Sequence, residues 1–166
     1  ARPYPSEGYA AAADMLVDGL GAEIVITGLP AEESIAKQVL GNMRHRACSL
    51  VGRTSFKQLA AVIELSDLVV TNNTGPMHIC SCVKTPVVVL FALTNPPEQW
   101  GPWRVPHRLL NRETSCSTPC YKFVCPTDHA CLAGVSPEEI LEAAQMLINQ
   151  SPKRVSSYGA QKHSLC

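Results

Sequence analysis

Net charge is absent from this sequence: fourteen lysines and arginines stand against fourteen aspartates and glutamates over 166 residues. Without a basic excess there is no electrostatic footprint for nucleic acid or for an anionic membrane surface. No apolar run approaches the roughly 18 residues that a membrane-spanning helix needs. The opening segment ARPYPSEGYA has no apolar core of the kind that marks a signal peptide and no initial Met, so the expectation is a leaderless fragment or processed chain. No internal repeat or low-complexity tract appears. Neither paired carboxylates nor a nucleophile elbow offers a complete catalytic constellation.

What is present is apolar mass. At 46% hydrophobic residues, the chain can build the core of one domain or of one lobe of a larger protein. Eight cysteines are many for a cytosolic chain, yet the sequence is too long and too core-rich for a disulfide-stapled module. Cys48, Cys80 and Cys82 lie in apolar segments and read as small core residues.

The most informative stretch runs from Asp67 to Phe91. An apolar run through Val70 breaks at Asn72-Asn73-Thr74-Gly75-Pro76, a short apolar segment from Met77 to Val83 follows, and a β-branched run from Pro86 to Phe91 closes it. This is a strand, a turn, a helix and a strand. Such a unit joins parallel strands and leaves the turn at the carboxyl end of the first, where open α/β sheets bind ligands. Pro76 suits the first helical turn, and Thr74 or Gly75 can cap it. The free N–H groups of that helix favour an anion such as phosphate. His78 falls in the first turn, where the helix dipole favours a neutral imidazole. The bland alternative is a turn that only stops a strand and starts a helix. Asn72-Asn73-Thr74 also spells a glycosylation sequon, in a place poorly suited to an acceptor.

The remaining pattern is consistent with a parallel sheet covered by helices. A helix is expected from Glu7 to Leu20, with Ser6 as its cap and a stripe of Tyr9, Ala12, Ala13, Leu16, Val17 and Leu20. A strand over Glu23 to Thr27, a helix from Ala31 to Leu40 and a short strand over Cys48 to Val51 follow. Thr54 or Ser55 then caps a helix through Leu65, with Phe56, Leu59, Ala60 and Ile63 on one face. Residues Thr94 to Trp103 are too rich in Pro and aromatics for regular structure, and long loops there are usually functional. A short strand near Arg108 to Leu110 precedes a Cys-rich loop, 116–131. Ser136-Pro137-Glu138-Glu139 then opens a last helix through Ile148. Residues 1–150 therefore read as one parallel α/β lobe, and 151–166 as a tail.

Cys116, Cys120, Cys125 and Cys131 could close a tetrahedral zinc site, with His129 able to replace one ligand. Their separations of three, four and five intervening residues are not the paired C-x-x-C knuckles of zinc modules. Thiols that pack or hydrogen-bond to fix the loop are the expected state.

The string TNNTGPMHICSCVKTPVVVLFALTNPPEQWGPW resembles the donor-binding half of the lipopolysaccharide heptosyltransferases, the family 9 glycosyltransferases. YPSEGYAAAADML, ITGLPAEE, VGRTSFKQLAAVIELSDLVVTN and CSTPCYKFVCPTDHACL extend the likeness over nearly the whole chain. The resemblance implies one of two Rossmann-like lobes in the GT-B arrangement, with the acceptor-binding lobe and its carboxylate base lying outside this sequence. It implies an ADP-sugar donor, typically ADP-heptose, no cofactor, transfer with inversion to a lipid-linked core acceptor, and a cytoplasmic location, peripheral at the inner membrane at most. By matching positions, Asn73, Thr74, Gly75, Pro76 and His78 would face the diphosphate and sugar. Glu32 or Glu33 would reach the ribose, Thr54 would lie near adenine, and Arg2 would meet the phosphates. The family commonly has Asp at the position of Asn73; Asn keeps an acceptor, adds a donor and loses the charge-assisted bond. The rival readings are a catalytically silent nucleotide-binding or interaction domain of the same fold, and a cysteine-metal module on a Rossmann-like scaffold.

Overall fold

The strand Val87–Leu90 is buried on both faces, each of its four residues being 0% exposed. Its alternation divides the core in two. Val87, Val89 and the following Phe91 pack with Ile63, Met77, Ile79 and Cys80 on one side. Val88 and Leu90 meet Leu16, Ala143, Ala144, Leu147, Leu132 and Ile140 on the other. A near-continuous β-branched run is what a parallel strand covered on both faces requires. In the computed structural model, which describes residues 4–114, 116, 120, 125, 127 and 129–150, this strand is β4 of the order set out next. Arg2 and the 151–166 tail lie outside the described residues.

The helix α1, Ser6–Leu20, leads to β1, Val25–Ile26. A 3-10 turn at Pro30–Glu32 enters α2, Glu33–Asn42, before β2, Cys48–Ser49. Then come α3, Phe56–Leu65, β3, Val69–Asn72, α4, Gly75–Val83, and β4. A one-turn helix α5, Pro97–Trp100, precedes β5, His107–Leu110, and α6, Ala130–Ala133, precedes α7, Pro137–Gln150. All strand pairs are parallel. α3 and α4 cover one face of the three-stranded ladder, and α1 and α7 cover the other.

The parallel α/β architecture read from the sequence is the one found, with differences in detail. The strands fall into two ladders, β1-β2 and β3-β4-β5. β1 keeps only two residues of the expected five, and its Val25 is exposed, so little apolar burial holds it to a neighbour. Ile24 and Leu68, each just ahead of its strand, still pack on one cluster, which gives the two ladders a common core. Ser6 lies inside α1, whose N-cap is Pro5. Phe56 is 73% exposed, while Leu59, Ala60 and Ile63 form the buried face of α3. The Pro-rich stretch is not wholly irregular, because Pro96 and Pro97 start α5, where a missing N–H costs nothing. Cys80 is buried as expected, and burial pushes its thiol up to about 11; Cys82 is exposed, and Cys48 is half-buried.

α1 ends where Gly21 takes a φ of 64° and its N–H returns to the Val17 carbonyl, a left-handed stop that suits glycine. On its buried face sits a charge. Asp14 is 4% exposed and accepts the Arg44 and His45 backbone N–H groups at 2.9 to 3.0 Å, with the Arg44 guanidinium at 3.2 Å. This carboxylate ties α1 to the chain leaving α2. Burial alone would raise the Asp14 pKa, but those N–H groups and the guanidinium outweigh it and hold the carboxyl below its ordinary value. A depressed carboxyl contributes stability that is complete above the unfolded value, about 4, and is lost as pH falls through the lower folded value. Asp14→Ala should cost about 3 kcal/mol in urea unfolding because it strands two backbone donors. Asp14→Asn should remove part of the acid-induced loss of stability below about pH 4.

Candidate functional site

Within each ladder the strands run parallel, so the carboxyl ends of β1 and β2 deliver Gly28 and Leu50 to one edge of their ladder, and those of β3, β4 and β5 deliver Asn73, Ala92 and Asn111 to one edge of theirs. Open α/β sheets place ligands along that edge. The first two connections are stitched together there. Gly52 N–H donates to the Gly28 carbonyl at 2.9 Å, and Gly52 holds a φ of 68° against Pro30. Glu32 folds back so that its Oε2 accepts the Leu29 N–H at 2.7 Å, and a Cβ on Gly28 would come to 3.0 Å from that oxygen.

The turn between β3 and α4 is held from two directions. On the α1 side, the Tyr9 hydroxyl donates to Asn72 Oδ1 at 2.5 Å. Toward β4, Asn73 Oδ1 accepts the Ala92 N–H at 3.1 Å, while its Nδ2 makes longer contacts of 3.4 Å to the Ala92 carbonyl and to Thr94 Oγ1. The carboxamide thus pairs with the Ala92 peptide on both its donor and its acceptor side. The turn itself closes with Thr74 N–H on the Asn72 carbonyl at 2.8 Å.

Pinning the two asparagines leaves Thr74, Gly75 and His78 exposed at the start of α4. Thr74 occupies the N-cap position in an extended conformation and makes no side-chain cap bond; its carbonyl takes the Met77 N–H at 3.1 Å and Pro76 has none, so of the first three helical residues Gly75 supplies the N–H that the turn does not use. A Cβ on Gly75 would meet nothing within 4 Å, so neither packing nor backbone geometry demands glycine there. The combination is an open helix N-terminus with a hydroxyl and an imidazole beside it, suited to an anion.

Of the other residues singled out from the sequence, the two glutamates separate. Glu32 turns toward Gly28 and lies close enough to Tyr9 to act on its ionisation; Glu33 pairs with Lys37 at 3.0 Å on the exposed side of α2. Thr54 is half-buried on the connection leaving β2, and Ser55, not Thr54, caps α3 by accepting the Gln58 N–H. Pro76 sits in the first turn of α4. Two shallow cavities of about 320 and 300 Å³ lie elsewhere, along α1. The first is lined by Asp14 and Arg44, whose charges already satisfy one another.

The four loop cysteines divide into two pairs. Cys120 and Cys131 are buried, Cys131 within the cluster around Leu90 and Leu132. Cys116 and Cys125 are half-exposed and share Thr127 Oγ1 at 3.7 and 3.6 Å, and the His129 N–H donates to Cys125 Sγ at 3.1 Å. Among the described residues no three His, Cys, Asp or Glu side chains are grouped to hold a metal ion. No described helix is long and apolar enough to cross a membrane.

A family model described as glycosyltransferase family 9 (heptosyltransferase) matches residues 1–130. The chain belongs to glycosyltransferase family 9. It is 31% identical over 116 residues to lipooligosaccharide heptosyltransferase 2 of Campylobacter jejuni, which covers 69% of this chain and 36% of that protein. It is 33% identical over 92 residues to the lipopolysaccharide core heptosyltransferase OpsX of Haemophilus influenzae, covering 54% of this chain and 26% of that protein. Among solved structures, a family 9 glycosyl transferase from Veillonella parvula superposes with a TM-score of 0.79 at 25% identity, over 90% of this chain and 43% of the other. E. coli ADP-heptose LPS heptosyltransferase II shares the fold, with a TM-score of 0.76 at 24% identity over the same shares. The chain spans less than half the length of these relatives.

In this family member the loop cysteines should behave unequally. Cys131→Ser, which puts a hydroxyl in the core, should cost about 1 to 2 kcal/mol in urea unfolding, whereas Cys125→Ser should change stability by less than about 0.5 kcal/mol. Equal losses at all four positions, matched by destabilisation on adding chelator, would instead indicate a shared metal.

Proposed function

We propose that this chain is the donor-binding part of an inverting glycosyltransferase that passes a heptose-like sugar from an ADP-sugar to a lipopolysaccharide core or related acceptor. One observation carries the reading: the exposed N-terminus of α4, bearing Thr74, Gly75 and His78, directly follows two anchored asparagines at the carboxyl end of β3 in a family 9 chain. Donor cleavage moves negative charge onto the departing nucleoside diphosphate. The Gly75 N–H at the amino end of α4 and the Thr74 hydroxyl would stabilise that charge more in the transition state than in the intact donor, which is how such a site accelerates the reaction. The His78 imidazole can donate a further hydrogen bond to a phosphate or sugar oxygen. Glu32, across Tyr9 from this turn, is the carboxylate placed to accept ribose hydroxyls, and Glu33 is spent on Lys37. Thr54 would lie toward the base, and Arg2 would reach the phosphates.

The lipid-linked acceptor and the base that deprotonates it are assigned to the part of the protein corresponding to the rest of the relatives' length. That assignment accords with the α4 turn offering no carboxylate base, and a cytoplasmic enzyme, peripheral to the inner membrane at most, is part of the same proposal. The chain by itself is therefore a binding lobe that does not transfer sugar.

Calorimetric titration of the chain with ADP, UDP and GDP tests the reading, with ADP expected to bind best. His78→Ala should weaken ADP by about fivefold, the equivalent of one hydrogen bond. Gly75→Ala should weaken it at least as much without lowering the thermal midpoint, because the added methyl occupies only open space in the free chain. Equal affinity of the unmodified chain and both variants, or no preference among nucleotides, would contradict the assignment.

A further inference from the structure

Tyr9 is half-buried on α1, and its ring is wedged in place. Tyr4 stands edge-on to it, with centroids 5.2 Å apart and planes at 90°, and the Tyr4 hydroxyl donates to the Val135 carbonyl at 2.7 Å. Gly8 makes that possible, since a Cβ there would fall 2.5 Å from the Tyr4 ring. Phenylalanine would fill the same space as Tyr9; only the hydroxyl crosses 63 residues of sequence to reach Asn72. Burial, then Tyr4, then the Glu32 charge hold the phenol far above its ordinary range, so it keeps its proton and remains a donor. Asn72 in turn supplies the carbonyl that orients the Thr74 N–H.

We propose that Tyr9 is a positioning residue of the donor site: through Asn72 it holds the turn that presents Thr74 and Gly75 at the mouth of α4. Its effect on nucleotide affinity rests on the donor-binding reading above, whereas the positioning itself rests on the geometry of the free chain. The arrangement explains why a tyrosine stands at a position whose helical periodicity asks only for an apolar ring. It also connects the β3–α4 turn with the connection from β1, because the phenol bonded to Asn72 is within electrostatic reach of Glu32.

Amide hydrogen exchange in the free chain reads the positioning directly. In Tyr9→Phe the Thr74 amide should exchange about fivefold faster, the effect of losing one hydrogen bond, while amides of β4 stay unchanged. Asn72→Ala removes the acceptor in place of the donor and should give the same change at Thr74, which keeps the test open should Tyr9→Phe fold poorly. In ADP titrations, Tyr9→Phe should weaken binding by about fivefold, and the loss should vanish in an Asn72→Ala background. Unchanged Thr74 exchange in both single variants, or additive losses of affinity, would overturn the role of Tyr9. If the unmodified chain bound no ADP, the donor-binding reading would fall, and the exchange rates would still decide whether Tyr9 positions the turn.

Discussion

Burial of β4 on both faces sets the geometry of everything else. A strand with no exposed side chain needs helices on two sides, and its neighbours β3 and β5 can lie parallel to it only if the chain crosses over between them. α4 is the crossover from β3, so its amino end must emerge at the carboxyl edge of the sheet. The exposed amino end of α4 is in that sense a by-product of how Val87–Leu90 is covered. What sets it apart is that Thr74, Gly75 and His78 are exposed there beside two anchored asparagines.

The turn is stabilised without using the groups it exposes. Asn73 spends its carboxamide on the peptide of Ala92, and Asn72 takes the Tyr9 hydroxyl, so both side chains that could compete for the α4 amides are engaged elsewhere. An aspartate at position 73 would accept the Ala92 N–H equally well but would set a second acceptor against the Ala92 carbonyl. In this chain the asparagine therefore has a structural reason of its own, whatever it contributes to a sugar. Asp14 performs the comparable task away from the site, anchoring the start of the Arg44 segment to α1 with a charge that two backbone N–H groups and the Arg44 guanidinium keep ionised.

Elements with a local signal were legible in the sequence. The β-branched run before Phe91, the Asn-Asn-Thr-Gly-Pro break and the Ser136 to Glu139 cap each carry their chemistry within a few residues, and each appears near its expected place. Contacts made at long range were not legible. Tyr9 was counted as one more apolar position in a helical stripe, and nothing in a period of 3.6 residues shows that its hydroxyl meets Asn72. Glu32 and Glu33 are indistinguishable in sequence; the 3-10 turn at Pro30 rotates one toward Gly28 and leaves the other to Lys37. Division of the strands into two ladders depends on how much of β1 is covered, which composition does not disclose. Asp14 had a readable signal, a lone carboxylate within the apolar Ala12, Ala13 and Leu16 face, and it marked a buried anchor.

Mapping backbone amide shifts while ADP is added to the chain tests most directly the claim that the anchored turn presents a donor site at α4. The account predicts that the largest saturable shifts fall on Thr74, Gly75 and His78, with smaller ones at Gly28 and Glu32, and that β5 and α7 stay still. Shifts centred on the cavity between α1 and α2, or an absence of saturable shifts at the α4 turn, would contradict it.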